Sequence, residues 1–123
     1  MSEGVHTPRV LCVSRHRELA LLRQRVLELS GFEVVRPETK RACLEALRSG
    51  RFDRLVICHS VSVDSAREIT AEFKRRNPDS CVVAVLTSPW AYCPYPVDVH
   101  ISGTDGPDTL VETVRNCEQQ VQS

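Results

Sequence analysis

The sequence has no excess of charge of either sign: lysine plus arginine and aspartate plus glutamate each number 16 among 123 residues. That balance argues against a general nucleic-acid binder, which carries a basic excess. It also gives no reason to expect an acidic membrane surface as partner. No apolar stretch approaches the roughly 20 residues needed to span a bilayer. The opening segment, Met1 to Pro8, holds Glu3 and no apolar run, so no secretory signal is indicated and a cytoplasmic location is expected. The 6 cysteines are Cys12, Cys43, Cys58, Cys81, Cys93 and Cys117, and none forms a Cys-x-x-Cys pair. A zinc knuckle or thioredoxin-type centre is therefore not indicated. In a reducing compartment all six are expected as free thiols. The chain shows no internal repeat and no low-complexity segment.

What is present is a chain of one-domain length, able to bury about two-thirds of its unfolded surface without staples. Arg9 to Val13 reads as a buried strand. Behind it Leu19, Leu22, Val26 and Leu29 recur at helical spacing, and Gly31 stands where a helix would end. Phe32 to Val35 is a short second strand. Thr39 can cap a helix bearing Cys43, Ala46 and Leu47, which Gly50 ends. Arg54 to Cys58 is a third strand. Ser65 with Glu68 forms a capping-box pattern for a helix carrying Ile69 and Phe73 and stopping before Pro78. Its basic end, Lys74-Arg75-Arg76, complements the helix dipole. Cys81 to Leu86 is the most apolar strand, and Val97 to Ile101 a shorter fifth. Pro107 can open a last helix with Leu110, Val114, Cys117 and Val121 along one face. Asp105 and Asp108, around that start, suit caps.

Alternation of strands and helices, with strands apolar on both faces, predicts a three-layer α/β domain. Right-handed crossovers give a parallel five-stranded sheet in the order 2-1-3-4-5, the flavodoxin-like arrangement. One connection breaks the rhythm. Pro89, Pro94 and Pro96 forbid a useful helix between the fourth and fifth strands. That loop also holds Trp90, Tyr92 and Tyr95, the chain's only tryptophan and both its tyrosines. The fourth crossover helix is expected to be short or missing.

In such a sheet function gathers at the carboxyl ends of the strands. Those ends bring together Ser14-Arg15-His16, Cys58-His59-Ser60, Thr87-Ser88 and Ser102-Gly103, a polar set without a carboxylate. At this point the chain resembles the receiver domain of two-component response regulators. The segments VLCVSRHRELALLRQRVLELSGFEVV, FDRLVICHSVS, VVAVLTS and HISGTDGPDTL carry the likeness. It extends from about Pro8 to Val121, which leaves residues 1–8 as a tail and 9–121 as one receiver-like domain. Receivers move a phosphoryl group onto an aspartate after the third strand, with acidic residues holding Mg²⁺, a Thr or Ser, and a Lys. Here the resemblance puts Cys58 at the acceptor, Ser14 and Arg15 at the acidic pair, Gly103 at the lysine, and retains only the hydroxyl, as Thr87. Mg²⁺ wants hard carboxylate oxygens, and phosphoryl transfer depends on metal and cationic stabilisation. The resemblance therefore implies a degenerate receiver, a pseudo-receiver with no cofactor and no catalysis.

Three roles for the strand ends remain open in the sequence. One is a constitutive protein–protein docking module, anchored by Trp90, Tyr92 and Tyr95 with a contribution from His100. Its partner would be another signalling protein, and a homodimer stays open. The plain counterpart is that the rings fill the hole left by the missing helix. A second is a thiol sensor or thiol enzyme at Cys58, beside His59; neighbours in a strand point to opposite faces, so the two would not pair. A third is an anion held by Arg15 and helix amino ends, or a metal among His16, Cys58 and His59.

Overall fold

The computed structural model describes residues 7–88 and 90–117. In chain order these form β1 (Arg9–Val13), α1 (Arg17–Leu29), β2 (Glu33–Val35), α2 (Lys40–Ser49), β3 (Arg54–Cys58), α3 (Val63–Arg76), β4 (Cys81–Leu86), β5 (Val99–Ser102) and α4 (Pro107–Asn116). The strands make one parallel sheet in the order β2-β1-β3-β4-β5. All six residues of β4 are buried, because its alternate side chains meet helices on opposite faces.

One face stacks Leu11, Leu55, Ile57, Val82 and Ala84 against Leu47 of α2 and Phe73 of α3. The other sets Val10, Cys12, Val56, Cys58, Val83 and Val85 against Leu27 of α1 and Leu110 and Val114 of α4. Among the described residues no helix lies between Leu86 and Val99, so the crossover from β4 to β5 is irregular, as its prolines require. Again among the described residues, no helix is long and apolar enough to cross a membrane.

Local signals set most boundaries. Thr39 accepts the Ala42 N–H at 3.0 Å and caps α2. Gly31 takes a positive φ of 99°, and Phe32 N–H donates to the Leu27 carbonyl at 3.1 Å, closing α1. Other expectations are corrected. Ser62, not Ser65, caps α3, accepting the Ser65 N–H at 3.3 Å. Glu68 instead reaches Lys40 across the gap to α2, at 2.7 Å. Pro107 does open α4, but its cap is Gly106; Asp105 turns back to accept the Ser102 N–H at 2.8 Å, and Asp108 lies in the first helical turn. β2 starts at Glu33, since the amide of Phe32 is spent closing α1, and β5 runs Val99–Ser102.

The apolar stripe of α1 is not its buried face. Ala20 and Leu27 are buried, whereas Leu22 is 59 % and Leu29 82 % exposed. Small Ala20 lets the helix approach the sheet, and Arg23, one turn on, is the residue that turns inward.

The expectation of six free thiols is also corrected. Cys81, at the start of β4, and Cys117, just past α4, form a disulfide with Cα atoms 6.1 Å apart, an ordinary bridging separation. They are 36 residues apart in sequence, so only the return of α4 along the sheet brings them together. Cys117 thus ends the last helix rather than continuing its apolar face, and Val121 lies outside the described residues.

Candidate functional site

The loops after β1 and β3 are stitched together by hydroxyls. Ser60 Oγ lies 3.2 Å from Ser14 Oγ and accepts the Arg15 N–H at 2.9 Å. Ser14 Oγ also accepts the His16 N–H at 3.1 Å, and His16 Nδ1 accepts from Leu19 N–H at the start of α1. Ser14 and His16 therefore serve the backbone, as polar residues at loop and cap positions commonly do. The Arg15 side chain is exposed. Among the described residues no group of three or more His, Cys, Asp or Glu side chains is arranged to hold a metal ion.

Cys58 ends β3 and is 1 % exposed. The guanidinium of Arg23, projecting from α1, donates through Nη1 to Cys58 Sγ at 2.8 Å. Burial pushes the Cys58 thiol up, and the pull of Arg23 and Ser14 in the opposite direction does not overcome it. The thiol is neutral at physiological pH and shielded, the reverse of a reactive thiolate. His59 is exposed, on the other side of the chain from Cys58. Cys12, behind Cys58 on the same sheet face, is raised to about 12 by burial first and by Cys58 second.

Gly103 follows β5, its N–H donating to the Leu86 carbonyl at 2.7 Å. A Cβ there would meet Leu86 O at 3.5 Å and Arg23 Nη2 at 3.7 Å, so space does not demand glycine. The cation beside this corner comes from α1. Arg23 is the residue that sequence reasoning missed. Its signal was one charge in the Ala20–Arg23–Leu27 row, hidden by the more conspicuous leucine stripe. With Arg23 on Cys58, Arg15 nearby and Ser14 bonded to Ser60, the residues do not fit Mg²⁺, which needs anionic oxygens. Thr87, which the resemblance puts at the hydroxyl position, is exposed just after β4.

The loop that replaces the crossover helix divides its rings. Tyr95 is 7 % exposed and joins the core of the α2–α3 face, where burial is the main cause of its raised phenol pKa. Ala91, Cys93 and Val97 pack against the same core. Cys93 Sγ donates to the Tyr95 carbonyl at 3.3 Å, and Arg67 of α3 donates to the Pro94 carbonyl at 3.0 Å. Tyr95 is therefore the filler, against the expectation that it anchors a partner. Trp90 and Tyr92 stand 89 % and 85 % exposed. Tyr92 borders a cavity of about 240 Å³ shared with His59, Val63, Thr87 and Pro94. His100 is exposed on edge strand β5, paired in register with Ala84, which puts it on the sheet face that carries the loop.

This order and this layering define the flavodoxin-like fold as seen in CheY-like receivers, and solved structures of that class superpose on the chain. A CheY-like response regulator receiver domain protein from Methanospirillum hungatei superposes with TM-score 0.77 at 17 % identity, covering 89 % of this chain and 92 % of that one. The response regulator TrrA of Thermotoga maritima, in complex with Mg²⁺ and a beryllofluoride group, gives 0.74 at 19 %, covering 89 % and 97 %. The chemotaxis response regulator CheY4 of Vibrio cholerae gives 0.77 at 16 %, covering 89 % and 98 %. No protein-family model and no curated protein sequence matches the chain. The likeness is one of fold.

Proposed function

We propose that this chain is a receiver-like signalling module that works without phosphorylation, by docking another protein through the loop after β4. The observation that carries the reading is the pair of exposed rings, Trp90 and Tyr92, on a loop held down by Tyr95 and Arg67. Large rings held on an anchored loop lose little freedom on binding and exclude much water, which is why such residues dominate interfaces. Val63, 40 % exposed at the start of α3, borders the same cavity as Tyr92, and His100 is exposed on the sheet face that carries the loop.

The strand ends support the silent half of the reading. The acceptor position is a buried thiol, a guanidinium donates to it, and the hydroxyls around it bond to one another. Nothing in this arrangement offers a nucleophile with its base, or an anionic cage for a metal. The same burial weighs against a thiol sensor at Cys58.

The test is partner capture by the wild-type chain and by Trp90→Ala and Tyr92→Ala, each checked for an unchanged fold. The reading expects each substitution to weaken capture at least about tenfold, the scale of an interface anchor. Undiminished capture by both variants would remove the loop as the docking surface.

A further inference from the structure

A guanidinium that no acid of the described residues holds lies in the wall of an apolar groove. The groove runs between α1 and the β5–α4 corner, walled by Leu19, Leu22 and Val26 on one side and Ile101, Pro107 and Leu110 on the other. Arg23 and Gly103 also line it. Arg23 has five N–H donors to satisfy. Among the described residues, its only hydrogen bond goes to the sulfur of Cys58, and no carboxylate lies within ion-pair distance of it. The other half-buried cations are better served. Arg54 donates to the carbonyls of Val114 and Asp53, Arg36 holds Gln24 and Glu38, and Lys74 holds Asp98. A cation partly out of water and facing a thiol is costly unless an anion joins it.

The space beside it sets the size of that anion. The groove holds about 150 Å³, the scale of an apolar cavity that accepts a single benzene ring. Its aliphatic walls suit a ring or a branched chain, and its one cation suits a carboxylate. The nearby acids do not compete for Arg23: Asp105 is turned to the Ser102 N–H, and Asp108 is exposed on the first turn of α4.

We propose that the groove between α1 and α4 binds a small carboxylate bearing one apolar ring or branched chain, its carboxylate on Arg23 and its apolar part between Leu22, Val26 and Leu110. This site is separate from the aromatic loop and does not depend on the docking reading.

Benzoate is the probe, with benzyl alcohol and benzylamine as its neutral and cationic counterparts. Each is titrated into the full ¹⁵N-labelled chain while amide resonances are followed. Benzoate should produce saturable shifts at Ile101, Gly103 and Gly106. Benzyl alcohol should bind about tenfold more weakly, the scale of one charge-assisted hydrogen bond, and benzylamine more weakly still. Arg23→Gln should erase that order while the spectrum stays folded, and Arg23→Lys should keep part of it. The proposal is overturned if benzoate gives no saturable shifts, or if the three probes bind alike. It is equally overturned if the same amides shift with protein concentration alone and sedimentation shows a dimer, because a second copy then fills the groove.

Discussion

The chain leaves β3 and β4 by different routes. After β3 it forms α3, fourteen residues capped by Ser62, with Ala66, Ile69, Thr70 and Phe73 buried against the sheet. After β4 it forms a proline-rich loop that sinks one large ring, Tyr95, and leaves two, Trp90 and Tyr92, in solvent. A helix hides its apolar residues by period, since every third or fourth side chain faces the sheet. An irregular segment has no such period and hides only what its anchors pull in. The regular crossover is therefore a stability element, and the irregular one is free to carry recognition.

Truncation should break this contrast into a ladder read by denaturant unfolding. Phe73→Ala empties the core under α3 and should cost about 3–5 kcal/mol. Loss of the Cys81–Cys117 bond, by Cys117→Ser or by reduction, should come next, at about 3–4 kcal/mol for a loop of this length. The helix end should stay docked even so, because Arg54 still donates to the Val114 carbonyl and Arg115 to the Ser30 carbonyl, each at 2.7 Å. Unfolding with and without dithiothreitol measures that difference, and equal curves would show that the bond contributes nothing. Tyr95→Ala should cost about 2–3 kcal/mol, as a ring lost from the edge of the core. Trp90→Ala should change stability by no more than about 0.5 kcal/mol, the usual range for exposed positions. If Trp90 and Tyr95 proved equally costly, the division of the loop into anchor and display would be wrong.

The smallest effect belongs to the far end of α3. Hydrogen bonds from Arg75 and Arg76 hold the Glu72 carboxyl at about 2, below its ordinary value of 4.5. A depressed folded-state value adds stability that is fully present above pH 4.5 and is lost as the pH falls toward about 2. Glu72→Gln should remove that part of the acid sensitivity. The change should be slight, since ion pairs near the surface are screened. Unfolding midpoints at mildly and strongly acidic pH compare the two proteins.

Much of this architecture could be read directly. CVVAVL is apolar at every position, and RLVIC at every position after Arg54, because both their faces are covered, and that fixes a parallel sheet between helix layers. Three prolines removed the fourth crossover helix for a purely local reason. Tertiary outcomes were not legible. The rotation of α1 was decided by how closely Ala20 approaches the sheet, so the leucine stripe misled and Arg23 went unnoticed. Cys81 and Cys117 carry no spacing motif, and they meet only because α4 returns along the sheet. Which of the three loop rings is sunk depends on the hole beneath it, and composition does not describe that hole.

The central claim is that the strand ends are chemically silent, with recognition carried elsewhere. Its most direct test is the amide spectrum of the ¹⁵N-labelled chain during addition of Mg²⁺ and then beryllofluoride. Resonances of Ser14, Cys58, Thr87 and Gly103 should stay where they are throughout. Saturable movement of those four would show a working metal and phosphoryl site, and would contradict the account.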